Sequence, residues 1–257
     1  SGHAGAASAA VFQLLGADRR FQVDAQGVWS LDPSLAPLGT SLDETGFAVV
    51  DVETTGGGPD RGHRITEIAI VEVAAGRIAD EFQTLVNPGR RIPPGVTSLT
   101  GITQAMVSEA PYFEHVADEV MARLEGRVFV AHNATFDWTF VADGLVRALG
   151  HAPDVVRMCT VRMVRRLVPA LRHRNLDVVA RHFGVPIHAR HRAFGDALAT
   201  ARVFLRLLDE ARGRGIEDVA TLEWYLRRRR KRAAFDPRQI PLLFERSGRE
   251  RRDPEPG

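Results

Sequence analysis

Apolar positions fall along this chain in two rhythms, one suited to buried strands and one to amphipathic helices. Phe47-Ala48-Val49-Val50-Asp51-Val52 is an apolar run broken by one carboxylate, which reads as a buried strand. Ile65 to Val73 reads as a second strand, Ala75-Gly76-Arg77 as a turn, and Ile78 to Val86 as a third strand. Phe113, Val116, Val120, Met121 and Leu124 recur at helical spacing, Arg127 to Ala131 is a short apolar strand, and Val155 to Met158 fits another. Leu176, Val179, Ala180 and Phe183 mark a helix stopped by Gly184, and Leu198, Ala201, Leu205 and Leu208 mark the last strong one. Three strands followed by alternating helices and strands predict an α/β domain with a mixed central sheet flanked by helices.

The periodic body spans about residues 46–212. Before it, residues 1–45 form a leader: a helical stretch near Ala9 to Leu15, a hairpin over Phe21 to Leu31 turned at Asp24-Ala25-Gln26-Gly27, and a linker marked by Pro33, Pro37 and Gly39. After it, residues 213–257 form a basic extension. Arg227 to Arg232 is an unbroken cationic run, and Ser247 to Gly257, rich in Arg, Glu and Pro, has the composition of a disordered tail.

Composition narrows the class. The chain has 257 residues, 44% hydrophobic and 26% charged, as globular proteins do. No apolar run approaches the roughly 18 residues a membrane helix needs, and Ser1 to Ala10 lacks the pattern of a secretory signal. One cysteine, Cys159, leaves no partner for an intramolecular disulfide and too few ligands for a cysteine-based zinc site, and a cytoplasmic address is expected. The net charge is +2, and Lys231 is the only lysine, so the positive charge is almost all arginine, a good binder of phosphate.

Three stretches carry chemistry. In Asp51-Val52-Glu53 the carboxylates are two residues apart on a strand and so project from one face. They repel unless a cation lies between them, and an oxygen-rich site of this kind suits Mg²⁺ or Mn²⁺. The glycine-rich Gly56-Gly57-Gly58-Pro59-Asp60 follows without a Lys-Ser or Lys-Thr, so it is a turn and not a phosphate-binding P-loop. His132-Asn133-Ala134-Thr135-Phe136-Asp137 follows the strand ending at Ala131 and places Asp137 at a helix start. His191-Arg192-Ala193-Phe194-Gly195-Asp196 opens the helix that runs to Leu208, with Asp196 near its N-terminus, where the dipole favours an anion, and a histidine that can take a proton from water. Taken singly, each stretch has a plain structural alternative: a turn acid, a capping acid, an exposed loop histidine.

In order and spacing, Asp51-x-Glu53, His132-Asn133-x-x-Phe136-Asp137 and His191-x-x-x-x-Asp196 resemble the three motifs of the DnaQ-like DEDDh exonucleases. Leu99-Thr100-Gly101-Ile102-Thr103 and Arg174-Asn175-Leu176-Asp177 are similar to that family too, and the likeness covers Phe47 to Leu208. The sister group carries a tyrosine four residues before the last aspartate; Arg192 stands there, so the histidine type fits.

The resemblance implies an RNase H-like fold and a 3′→5′ exonuclease that releases nucleoside 5′-monophosphates from DNA 3′ ends in proofreading or repair. It implies that Asp51, Glu53, Asp137 and Asp196 hold two divalent cations, Mg²⁺ or Mn²⁺, with His191 as general base. Thr54, Thr55 and Gly56 are then expected to approach the terminal nucleotide, and Leu99 and Phe136 to stack on or wedge its bases. His132 and Asn133 are further candidates for substrate contact; for His132, satisfying buried backbone groups is the preferred alternative. An RNA 3′-exonuclease and a non-catalytic DNA-tethering module are the competing readings. Gln239-Ile240-Pro241-Leu242-Leu243-Phe244 resembles the Gln-x-x-Leu-x-Phe peptides that dock on sliding clamps, making Gln239, Leu242 and Phe244 candidate partner contacts beside a possible polymerase association.

Overall fold

The computed structural model describes residues 40–227 and two short strands before them, β1 (Phe21–Val23) and β2 (Trp29–Leu31). These two pair antiparallel, as the hairpin reading requires. The helix expected near Ala9 to Leu15, the turn at Asp24 to Gly27, the basic run beyond Arg227 and the Gln239 to Phe244 segment lie outside the described residues.

The body is a five-stranded mixed sheet in the order β5-β4-β3-β6-β7. β3 (Phe47–Thr54), β4 (Ile65–Ala74) and β5 (Arg77–Leu85) form an antiparallel meander, and β6 (Val128–Ala131) and β7 (Arg157–Cys159) add in parallel beyond β3. This is the mixed sheet flanked by helices that the resemblance to an RNase H-like fold implies. Alternation along β3 divides the core into two layers. Phe47 and Val49 face a cluster built from α5 (Thr160–Leu167), α6 (Leu176–His182), α7 (Ala193–Arg212) and α8 (Val219–Arg227). Ala48, Val50 and Val52 face another, built from α3 (Ala117–Leu124) and α4 (Ala134–Leu149). Phe47 meets Phe204 of α7 edge-on at 4.9 Å, which seats that helix across the middle of the sheet.

The sequence reading differs from the structure in places. Phe113 to His115 is a separate 3₁₀ turn, and α3 begins at Ala117, so the helical spacing from Phe113 spans two elements. Two short helices, α1 (Pro94–Thr100) and α2 (Gln104–Ser108), cap the sheet on the meander side; both are too short to show a period. The packed core also runs past both expected domain boundaries. Leu42 is buried, and Ile216, Val219, Leu222 and Leu226 join the cluster of Phe47 and Phe204. Arg166 fixes α8 to α5 by donating to the Tyr225 carbonyl at 2.8 Å, and its guanidinium lies over the Tyr225 ring. Basic residues around the apolar stripe of α8 disguised a core helix as a tail.

Candidate active site

Asp51 and Glu53 sit near the end of β3, at odd positions, on the face that α7 covers. The α7 N-terminus delivers Asp196 to the same place, and ligand oxygens of Asp51, Glu53 and Asp196 lie within 4.8 Å of one another. Asp137, in the first turn of α4, reaches in from the opposite layer. Its Oδ1 accepts the Val52 N–H at 3.3 Å, between the two strand carboxylates.

Four acids so placed are held back from ionising. Burial raises Asp51 well above its usual range, and the neighbouring Asp137, Asp196 and Glu53 push it further. Glu53 is raised to about 7 by burial, then by Asp196 and Glu67. Asp137 is raised to about 8, with burial outweighing the Val52 N–H that lowers it. Burial also raises Asp196, against the opposing pull of Arg190 and His191. Such a pocket favours taking up positive charge. Asp196 Oδ1 is buried and accepts no hydrogen bond, while its Oδ2 accepts from Arg190 Nη1 and, at 3.3 Å, from the His191 N–H. One oxygen is oriented by the protein and the other is buried without a hydrogen bond, the arrangement of a ligand atom. An all-oxygen, anionic donor set fits a hard divalent cation.

His191 precedes α7 in a loop of unusual backbone. Ala189 and His191 both have left-handed φ, 51° and 61°, which costs non-glycine residues about 1–3 kcal/mol each. Arg190, between them, bridges Asp196 and Asp177, donating from Nε to Asp177 Oδ1 at 3.0 Å. Next to it, Arg192 grips the buried Glu67 of β4 with a two-pronged contact of 2.6 and 3.0 Å, and Glu67 Oε2 also accepts the Ala193 N–H at 2.9 Å, at the first residue of α7. Gly195 completes the fit: a Cβ there would overlap the His188 and Ala189 carbonyls. Glu67, Arg190 and Gly195 escaped the sequence reading. For Glu67 the one available signal was a carboxylate, one of two with Glu72, inside the largely apolar run Ile65 to Val73.

The remaining expected site residues divide. Leu99 is 58% exposed on α1, which removes ordinary core packing as its role. Asn133 is exposed at the α4 N-cap in a left-handed conformation (φ 85°), which asparagine tolerates. Phe136 is half-buried against Phe140, ring centres 5.1 Å apart. His132 is used by the scaffold: Nε2–H donates to the Arg174 carbonyl at 2.9 Å, leaving Nδ1 to accept from Thr160 Oγ1–H at 2.8 Å. Burial lowers its pKa, in keeping with a neutral ring. Both ring nitrogens are thus occupied, in line with the preferred reading of His132 as a residue that satisfies buried groups rather than a substrate contact. Thr54 and Thr55 spend their hydroxyls on the turn: Thr54 Oγ1 donates to the Gly56 carbonyl at 2.7 Å, and Thr55 Oγ1 accepts the Arg64 N–H at 3.1 Å. A Cβ on Gly56 would strike the His63 ring, so its space admits an imidazole of the chain itself.

A mixed sheet with four converging carboxylates and a nearby histidine defines a metal-dependent phosphodiester hydrolase. The family model for exonucleases of the RNase T type matches residues 48–204, well over half of the chain, and the protein belongs to that exonuclease family, in its DEDDh class. A bifunctional exonuclease/endonuclease protein of Mycobacterium tuberculosis is 41% identical over 196 residues, 72% of this chain and 30% of the relative. A DNA polymerase III subunit epsilon-like protein of Rhodobacter capsulatus is 42% identical over 181 residues, 69% of this chain and 26% of the relative. The chain thus spans less than a third of these relatives. Exonuclease X, solved with 5′-overhanging duplex DNA, superposes with a TM-score of 0.51 at 29% identity, covering 63% of this chain and 91% of that one. No helix among the described residues is long and apolar enough to cross a membrane.

Proposed function

We propose that this protein removes nucleotides one at a time from DNA 3′ ends, in proofreading or repair, using two divalent cations. The observation that carries the reading is the cluster of Asp51, Glu53 and Asp196, whose ligand oxygens lie within 4.8 Å of one another, with the buried Asp196 Oδ1 left without a hydrogen bond. Asp51, Glu53, Asp137 and Asp196 would hold the cations, Mg²⁺ or Mn²⁺, which supply charge to offset the anion built up as a phosphodiester is attacked and its 3′ oxygen leaves. His191, on a loop clamped through Arg190 and Arg192, accepts the proton of the attacking water. Asp137 ties the two motif-bearing layers together through the Val52 N–H. Leu99, exposed beside no core, presents an apolar face that can stack on a base of any sequence.

Relatives named as a 3′-5′ exonuclease DinG and as PolC-type DNA polymerase III, from Bacillus subtilis and Caldanaerobacter subterraneus, are 37% and 35% identical and support DNA as the polymer. A further element of the reading is that Gln239, Leu242 and Phe244 dock the protein on a sliding clamp; Leu242→Ala with Phe244→Ala should abolish clamp pull-down. The deciding assay uses 5′-labelled single-stranded DNA, a duplex with a mismatched 3′ end and matched RNA, each with Mg²⁺ and with Mn²⁺. DNA ladders shortened from the 3′ end, with 5′-mononucleotide product, are expected. Faster RNA degradation would transfer the substrate assignment to RNA, and no metal-dependent cleavage of any would end the nuclease reading.

A further inference from the structure

A second feature, joined to the carboxylate pocket through the first turn of α4, is not used by the hydrolytic chemistry. A groove of ≈ 850 Å³ runs along the free edge of β7, between α5, α8 and the start of α4. It begins at Asn133 and Thr135, immediately before Asp137 in the chain. Four arginines line it: Arg157 on β7, Arg162 and Arg165 on α5, and Arg227 at the end of α8. Arg162 and Arg165 are three residues apart on one face of α5, while Met163, Val164 and Leu167 bury the other. Arg157, Arg162 and Arg165 pair with no carboxylate among the described residues, although the groove holds two acids. Glu223 is engaged by Arg227 at 2.9 Å, and Asp154 stands at the rim.

Aromatic faces alternate with this charge. Trp138 and Trp224 are half-buried walls of the groove, and the Arg157 guanidinium stacks over the Trp138 ring at 5.5 Å. Cationic side chains set for phosphates, with flat π-surfaces between them, suit a flexible strand of unpaired bases better than an acidic peptide or a lipid surface. In the sequence, Arg227 is followed directly by Arg228-Arg229-Arg230-Lys231-Arg232, which lie outside the described residues.

We infer that this groove binds the single-stranded DNA on the 5′ side of the scissile nucleotide, so that the terminal residue enters the carboxylate pocket while the strand behind it lies across Arg157, Arg162 and Arg165. The inference rests on the exonuclease reading for its direction, and it deepens that reading by naming where the rest of the polymer goes. The arginines act on strand affinity, through released counterions, and leave the chemistry at the acids untouched.

Two probes separate the claims. An oligothymidylate of about a dozen nucleotides spans pocket and groove, whereas the p-nitrophenyl ester of thymidine 5′-monophosphate reaches the pocket alone. With Ca²⁺ in place of Mg²⁺, Arg162→Glu with Arg165→Glu should weaken the oligonucleotide roughly tenfold or more and flatten the slope of log affinity against log salt by about 1.4, near 0.7 per lost phosphate contact. Arg162→Gln with Arg165→Gln should show a smaller loss in the same direction. Turnover of the small ester with Mg²⁺ or Mn²⁺ should stay at the wild-type level in all. Oligonucleotide affinity within twofold of wild type, with an unchanged salt slope, overturns the groove. Strand binding lost in the substituted proteins, together with a wild type that hydrolyses neither probe, supports the groove and sinks the nuclease reading alone.

Discussion

Asp51 and Glu53 reach the pocket from a strand paired on both sides, whereas His191 and Asp196 reach it through a loop that would not hold its shape alone. β3 lies between β4 and β6, and its alternation sends both carboxylates to one face. The loop ending in His191 contains two left-handed non-glycine residues, and contacts from elsewhere fix it: Glu67 on β4 holds Arg192 and the Ala193 N–H, and Asp177 on α6 holds Arg190. Half of the site is therefore built by local rules and half by long-range polar clamps. Glu53 and Glu67 face each other across β3 and β4, so removing Arg192 would leave two acids in direct opposition. The clamp that shapes the loop also relieves charge beside the strand carboxylates.

The largest effect should come from the strand half. Asp51→Ala removes a cation ligand and should lower kcat by about 10³-fold or more at unchanged fold, measured on labelled single-stranded DNA. Retention of metal-dependent activity would break the comparison at its stronger end. His191→Gln should cost about 10²–10⁴-fold in kcat on the same substrate, the range of a lost general base. Glu67→Gln tests the clamp without touching a reacting group. A shift of the loop should lower kcat by about 10–10²-fold with a smaller change in KM, and heat stability should fall by about 1–3 kcal/mol. A Glu67→Gln enzyme that melts lower but turns over normally would show that the clamp serves stability alone.

The smallest effect is in the pH dependence of the metal-free protein. Glu53 and Asp137 are raised to about 7 and about 8, above their unfolded range near 4. The folded state therefore binds more protons between those limits, and the stability of the metal-free protein should fall as pH rises from about 4 to about 8. Bound Mg²⁺ should reverse part of that loss, and Mg²⁺ affinity should climb over the same window as protons are displaced. Differential scanning fluorimetry across pH, with EDTA or with Mg²⁺, checks both signs.

The same division explains what could be read from the chain. Asp51, Glu53 and Asp137 stood out because strand alternation and a strand-to-helix junction are local patterns. His191 and Asp196 could be matched by spacing, but their geometry could not, since Glu67 and Arg192 are 125 positions apart. Nothing in a one-dimensional pattern marks that pair, or shows that Gly195 must lack a Cβ to clear two carbonyls. For His132 the sequence offered a substrate contact and, preferred, a buried structural role, and only the folded chain shows that Thr160 and Arg174 take both nitrogens. α8 was hidden for another reason: Leu222 and Leu226 are spaced for burial, but the arginines that follow made the segment look like a solvated tail.

The most direct test of the central claim, that these acids form one cation site, is a Mn²⁺ binding isotherm at pH ~8, above the value of about 7 to which Glu53 is raised, where bound metal displaces the remaining protons. Wild-type protein should bind Mn²⁺ with saturable stoichiometry, and Asp196→Asn, which keeps the shape of the side chain, should bind it at least tenfold more weakly while melting normally in EDTA. Equal Mn²⁺ affinity in the two proteins would contradict the account.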